Sequence, residues 1–156
     1  MNKKLIIAIV AVVAVLAIGL AIFFGAMNKP KELNLEELNT TFAESDSFKE
    51  MMTAELNLEL LDTLMNINTE NVEQFIGKFP MMNVHASMYM IIKAKEGTVE
   101  TVKTEVETYA TSYEQQWERY LPEQYELVKN RKLGVYGDYV YLIISENAEE
   151  LEKLIK

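Results

Sequence analysis

The hydrophobic pattern of the chain begins with one long apolar run and continues as shorter periodic segments. The run extends from Leu5 to Met27, which is 23 residues without a charged side chain, Asn, Gln or His. A helix of this length reaches roughly 34 Å, enough to cross a hydrocarbon core of about 30 Å. The sequence therefore predicts a transmembrane signal anchor over residues 1–27, a linker over 28–33 and an extracytoplasmic domain over 34–156.

A cleaved secretory signal is the alternative interpretation of this run, because Lys3 and Lys4 precede it. The run is longer than the usual signal core of about 7 to 15 residues, and its small residues lie inside it, which favours an uncleaved anchor. A short basic tail is retained inside, and long C-terminal domains translocate largely regardless of charge. We therefore expect a single-pass protein of the cell membrane with residues 28–156 outside the cytoplasm, and secretion after cleavage as the alternative.

The first part of the domain has the periodicity of helices. Asn34 is a typical N-cap residue, and the apolar positions after it predict a helix over 35–43. A second set of apolar residues at helical spacing predicts a helix over about 55–65, although residues 48–58 could also run extended.

Two strands are predicted next. Residues 72–79 end at Pro80 and are predicted to form an edge strand. From residue 82 to 94 the chain alternates, with apolar residues at Met82, Val84, Ala86, Met88, Met90, Ile92 and Ala94. This alternation predicts a strand with one face toward the core and the other toward water.

The longest periodic segment follows, with apolar residues spaced by three and four at Val99, Val102, Val106, Tyr109, Tyr113, Trp117 and Tyr120. It predicts an amphipathic helix over residues 98–121 that ends before Pro122.

The end of the chain is predicted to form a hairpin and a short helix. We expect a strand over residues 125–135, a tight turn at Gly137-Asp138 and a nearly all-apolar, central strand over 139–145. The terminal helix would bury Leu151, Leu154 and Ile155. The fold class is therefore α+β: an N-terminal transmembrane helix followed by a small antiparallel sheet packed against a long amphipathic helix.

Composition narrows the functional classes. Removing the two lysines of the anchor segment from the net charge of −9 leaves −11 on residues 28–156. Such an acidic domain would be repelled by nucleic acid and by anionic lipid, so we expect neither as a partner. The absence of cysteine excludes disulfides, thiolate nucleophiles and a lipid-modified cysteine.

The C-terminal half also resembles a known family. The residues that carry the resemblance are Tyr120-Leu121-Pro122-Glu123-Gln124-Tyr125, Leu127-Val128, Gly137-Asp138-Tyr139-Val140, Ile143-Ile144-Ser145 and the strand end with Ile91, Lys93, Ala94 and Lys95. Over roughly residues 72–156 the chain resembles the bacterial family named domain of unknown function 4358. The resemblance implies a small exported protein of Gram-positive bacteria and brings no activity. Many members carry a lipobox cysteine, which this chain lacks.

Candidate catalytic and metal-binding residues are few. His85 is the only histidine, and a zinc site would need nitrogen or sulfur ligands that the chain does not contain. Met81, Met82, Met88 and Met90 could suggest a thioether copper site, but the alternation places three of them with the apolar face, so we interpret them as core residues. The sequence predicts no catalytic residue, no metal site and no cofactor.

The aromatic row Tyr113, Trp117 and Tyr120 is the candidate partner-binding surface, although the valines that continue it favour a buried helix–sheet contact. We expect a non-enzymatic module that binds a protein or a cell-envelope component. The alternative is a carboxylate-dependent cell-wall hydrolase, since glycoside hydrolysis requires only two carboxylates.

Overall fold

A five-stranded antiparallel sheet forms the centre of the structure, a computed structural model that describes residues 30–156. The strands are β1 (Thr53–Glu55), β2 (Val72–Pro80), β3 (Met88–Ala94), β4 (Lys132–Tyr136) and β5 (Tyr139–Ile144). Their order across the sheet is β1-β2-β3-β5-β4. The predicted α+β class and antiparallel sheet are thus confirmed.

Within residues 30–156, four α-helices accompany the sheet: α1 (Leu35–Ala43), α2 (Val99–Trp117), α3 (Pro122–Lys129) and α4 (Ala148–Glu152). Helix α1 begins where the sequence predicted, because the Asn34 side chain accepts a hydrogen bond from the Glu37 amide at 3.2 Å. The segment Glu32–Lys156 forms one compact unit. No helix within residues 30–156 is long and apolar enough to cross a membrane, and the predicted anchor lies outside the described residues.

The segment between α1 and β2 differs from the predicted helix over residues 55–65. Glu55 is the last residue of strand β1, in which Ala54 pairs with Phe79. Residues 58–64 are helical, with a π-helical turn at Leu60–Leu64, so the predicted helix is confirmed for that part of the range. Because β1 pairs with the last three residues of β2, the prediction that β2 is an edge strand is wrong for that part of the strand. At the start of the predicted helix, pairing with β2 determines the conformation and the local helical spacing does not.

Strand β3 is shorter than the predicted strand over residues 82–94. It begins at Met88, and the preceding residues form turns in which the His85 amide donates to the Met82 carbonyl at 3.3 Å. The face opposite Met88, Met90 and Ile92 was predicted to contact water, but Tyr89 and Ile91 on that face are fully buried. Short helices cover this face, which the alternation within a single strand does not reveal.

The long helix was predicted over residues 98–121 and is observed as Val99–Trp117. The helix thus ends several residues before Pro122. Pro122 is instead the first residue of α3, a position at which a proline is tolerated. The predicted strand over 125–135 is therefore wrong in its first half and correct from Lys132. The turn at Gly137-Asp138 is confirmed, with Gly137 in the left-handed region at φ 59°.

Each face of the sheet has its own apolar cluster. Helix α2 packs Val102, Val106 and Trp117 against one face, where Met90 and Leu142 are fully buried. Helices α1 and α4 cover the other face. The predicted final helix buries Leu151 and Ile155, whereas Leu154 is half exposed.

Candidate functional site

The aromatic row divides into a buried part and an exposed end. Tyr113 and Trp117 expose only 5% and 6% of their surface, and their rings meet edge to face at 6.1 Å. Tyr120 exposes 56%, although its ring lies 5.6 Å from that of Trp117. The structure therefore places Tyr113 and Trp117 between helix and sheet, and only Tyr120 where a partner can contact it.

The buried end of this row also fixes the loop before β3. The Tyr113 hydroxyl donates to the Ala86 carbonyl at 3.3 Å, and the Gln124 side chain accepts from the Ala86 amide at 2.8 Å. Both backbone groups of Ala86 are thus held by helices, one from α2 and one from α3. This arrangement fixes the position of the loop before β3.

A groove of about 680 Å³ lies at one end of the sheet. It lies between the loop before β3, the segment before β1 and the residues that follow β5. We refer to it as the sheet-end groove. None of the residues Tyr113, Trp117 and Tyr120 lines it.

Four carboxylates give the sheet-end groove its charge: Asp46, Glu50, Glu146 and Glu150. Lys49 lies beside Asp46 at 2.6 Å, and its hydrogen bond lowers the pKa of that carboxyl. A negative potential in this recess favours cationic ligands over anionic ones.

Hydroxyl and amide groups form a fixed polar cluster at the groove. The Asn147 side-chain oxygen accepts hydrogen bonds from Ser47 at 2.7 Å and from Ser145 at 3.1 Å. Ser47 and Asn147 line the groove, so this contact ties the segment after α1 to the residues after β5. Two walls of the groove are therefore joined through a side chain 100 residues distant in sequence.

Methionine side chains form the apolar part of the groove. Met52 and Met82 line it and expose 64% and 45% of their surface, and the adjacent Met81 exposes 62%. The interpretation of Met82 as a core residue is therefore wrong, because the turns before β3 take it off the alternating strand face. Met88 and Met90 are fully buried, as that interpretation required.

His85 is exposed and lines the same groove as Met82. Among residues 30–156, no group of three or more His, Asp or Glu side chains is placed to hold a metal ion. The described residues thus present an acidic groove with thioether and imidazole groups, and no cluster of the kind that binds a hard cation.

Sequence reasoning did not identify the sheet-end groove because its lining comes from four separate stretches between Asp46 and Glu150. One signal was present: the chain contains two Met-Met pairs, at 51–52 and 81–82. Pairing of Thr53 with Pro80 brings these pairs together, and the Met81 amide donates to the Met52 carbonyl at 3.0 Å. Predicting β1 as a strand would have revealed this proximity.

Fold and groove together define a small α+β domain of the antiparallel type with an open acidic recess at one sheet end. The family model described as Domain of unknown function (DUF4358) matches residues 45–145. The chain belongs to this family, which confirms the resemblance seen in the sequence. No curated protein and no solved structure matches the chain.

Proposed function

We propose that this chain is a membrane-anchored extracytoplasmic module that binds a protein or another cell-envelope component through the sheet-end groove. The observation that carries the proposal is the groove itself, in which four carboxylates and exposed methionines surround an open recess of about 680 Å³. Recesses of this size commonly serve as binding sites. The anchor and the compartment rest on the sequence.

The position of the groove supports a binding role. The compact unit begins at Glu32, whose carboxylate pairs with Lys93 at 3.0 Å, and the Leu33 amide donates to the Tyr139 hydroxyl at 3.3 Å. Lys93 and Tyr139 lie at one end of β3 and β5, and the groove lies at the other. The groove is therefore far from the point where the chain joins the domain, and a partner has access to it.

The lining suggests the chemistry of the partner. Exposed carboxylates attract basic groups, while flexible thioether side chains adapt to apolar ones. A segment with lysine or arginine side chains on either side of an apolar residue would satisfy both parts of the groove. A basic segment of an envelope protein is the partner that fits best.

Crosslinking in intact cells tests this role. A photoreactive amino acid at Met82 should capture a partner, whereas the same amino acid at Thr108, exposed on the outer face of α2, should not. Capture should decrease when Glu50 and Glu146 are both replaced by glutamine. Equal capture from both positions, or capture that is insensitive to the glutamine variants, would contradict a binding role for the groove.

Turnover of wall material separates binding from hydrolysis. The four groove carboxylates are the residues that a hydrolase would use at this site, so alanine substitution of each one addresses that alternative. We expect the unmodified protein to leave purified cell-wall material intact. Release of fragments that a single carboxylate variant abolishes would replace the binding module by an enzyme.

Accessibility in cells tests the compartment. A cysteine in place of Glu44, which is exposed at the end of α1, should react with a membrane-impermeant thiol reagent on intact protoplasts. Labelling only after lysis would contradict the outward orientation.

A further inference from the structure

Four side chains that line the sheet-end groove belong to the types that bind soft metal ions. One of them, Met51, packs against the apolar cluster on the second face, and the other three do not. Met52 and Met82 provide thioether sulfurs, and His85, the only histidine of the chain, provides an imidazole. None of the three takes part in the apolar clusters. Their exposure is therefore not explained by packing of the core.

Backbone hydrogen bonds fix the two segments that carry these side chains. The bond from the Met81 amide to the Met52 carbonyl, at 3.0 Å, holds the residue before β1 against the residues after β2. The bond from the His85 amide to the Met82 carbonyl, at 3.3 Å, closes a turn between those two residues. Flexible methionine side chains on a fixed backbone can converge on an ion without any change of the fold.

The ligand set selects the class of ion. Thioether groups bind Cu(I) in preference to hard cations such as magnesium or calcium, and imidazole accepts copper as well. Neither ligand type carries charge in its binding form, so the positive charge of the ion requires compensation. The carboxylates of Asp46, Glu50, Glu146 and Glu150 lie in the same groove and provide it through space.

We propose that Met52, Met82 and His85 form a binding site for a soft monovalent cation, Cu(I) or its analogue Ag(I). Two sulfur atoms and one imidazole nitrogen are its ligands, and the surrounding carboxylates stabilise the bound charge. This site does not depend on the proposed partner-binding role, since it requires only the chain itself.

Titration of the full-length protein in detergent micelles with Ag(I) tests the site. We expect one tight equivalent, and its binding should shift the methyl resonances of Met52 and Met82 in spectra of methyl-labelled methionine. Replacing Met52 or Met82 by leucine, or His85 by glutamine, should weaken binding at least about 100-fold, because loss of even outer-shell partners costs about 10- to 100-fold. Cu(I), titrated without oxygen against a chelator, should give the same order of affinities.

Met81→Leu is the matched control, because Met81 is as exposed as Met52 but does not line the groove. Its affinity for Ag(I) should equal that of the unmodified protein. The thermal unfolding of all four variants should be unchanged, since each residue is exposed. An affinity that does not differ between the unmodified chain and the Met52→Leu/Met82→Leu double variant would overturn the site. So would a loss from Met81→Leu as large as that from Met82→Leu.

Discussion

Both faces of the sheet are buried, but different parts of the chain cover them. On one face the 19-residue helix α2 covers Met88, Met90 and Ile92, together with residues from the segment between β1 and β2 and from α3. On the other face α1 and α4, which are separated by more than 100 residues, cover Tyr89 and Ile91 together with the segment containing Phe48. Alternation along β3 shows which residues share a face, but the cover on each face depends on the rest of the chain.

The two faces also differ in their relation to the family match. The match over residues 45–145 contains all five strands, α2 and α3, and it excludes α1 and α4. In this chain, burial of the second face therefore depends on the two helices outside the matched range. The following predictions test that dependence and the contrast with the first face.

We expect the largest effect from Phe42→Ala. Phe42 lies in α1, is fully buried and meets the Tyr89 ring edge to face at 5.1 Å. Loss of this ring should lower the free energy of unfolding by about 3–5 kcal/mol, the range for large core truncations, as measured by chemical denaturation. Glu36→Gln on the exposed side of α1 is the control. A cost for Phe42→Ala no greater than that of the control would show that the second face does not need α1.

Trp117→Ala should destabilise the first face by an amount near the lower end of the same range, about 3 kcal/mol, because Trp117 lies at the end of α2 and keeps 6% exposure. The emission of this single tryptophan should be blue-shifted and poorly quenched by iodide. Free access of iodide, together with unchanged stability of the variant, would contradict its position between helix and sheet.

Alkaline pH should weaken the contact around Tyr113. Burial raises the pKa of Tyr113 to about 12, whereas an unfolded tyrosine titrates near about 10. Its contribution to stability is complete below the lower value and is lost as pH rises toward the upper one, because the unfolded chain releases its proton first.

Replacing Tyr113 by phenylalanine tests this linkage. The variant should lose less stability between those pH values, by up to about 1.4 kcal/mol per pH unit. Burial also raises the pKa of Tyr89 on the second face, so the Tyr113→Phe variant should keep part of the alkaline loss. Identical pH profiles of variant and unmodified protein would contradict the burial of the Tyr113 hydroxyl.

Tyr120→Ala should have the smallest effect on stability, within about 0.5 kcal/mol, because most of the side chain is exposed. If Tyr120 contacts a partner, the same variant should reduce crosslinking in cells. A destabilisation comparable to that of Trp117→Ala would show that the aromatic row acts as one buried unit.

Local signals predicted the parts of the fold that depend on neighbouring residues. The periodicity of α2, the N-cap at Asn34 and the Gly137-Asp138 turn all act within a few residues, and each is observed close to its predicted position. Strand β1 lies in the range 48–58, for which an extended conformation was only an alternative, because it has three residues and exists through pairing with Lys78–Pro80. The segment after Pro122 was misassigned because a proline that stops one helix also suits the first turn of the next.

The candidate site was less predictable for the same reason. The aromatic row Tyr113, Trp117 and Tyr120 could be found from spacing, yet spacing alone did not show where burial ends. The sheet-end groove combines residues from turns and loop segments with residues of α3 and α4, which only the folded sheet brings together. Asn147 carries no local signal for such a role, and the Met-Met pair that contains Met52 points to the groove only once the pairing of β1 is known.

Two ion pairs of Lys93 connect the first residue of the compact unit to one end of the sheet. Lys93 holds Glu32 at 3.0 Å and Glu73 at 2.9 Å, and these hydrogen bonds raise the pKa of Lys93 above its usual value, so it stays charged. From there β3 runs seven residues toward the groove, roughly 20 Å at about 3.3 Å per residue. The strand itself therefore sets the separation between Glu32 and the groove.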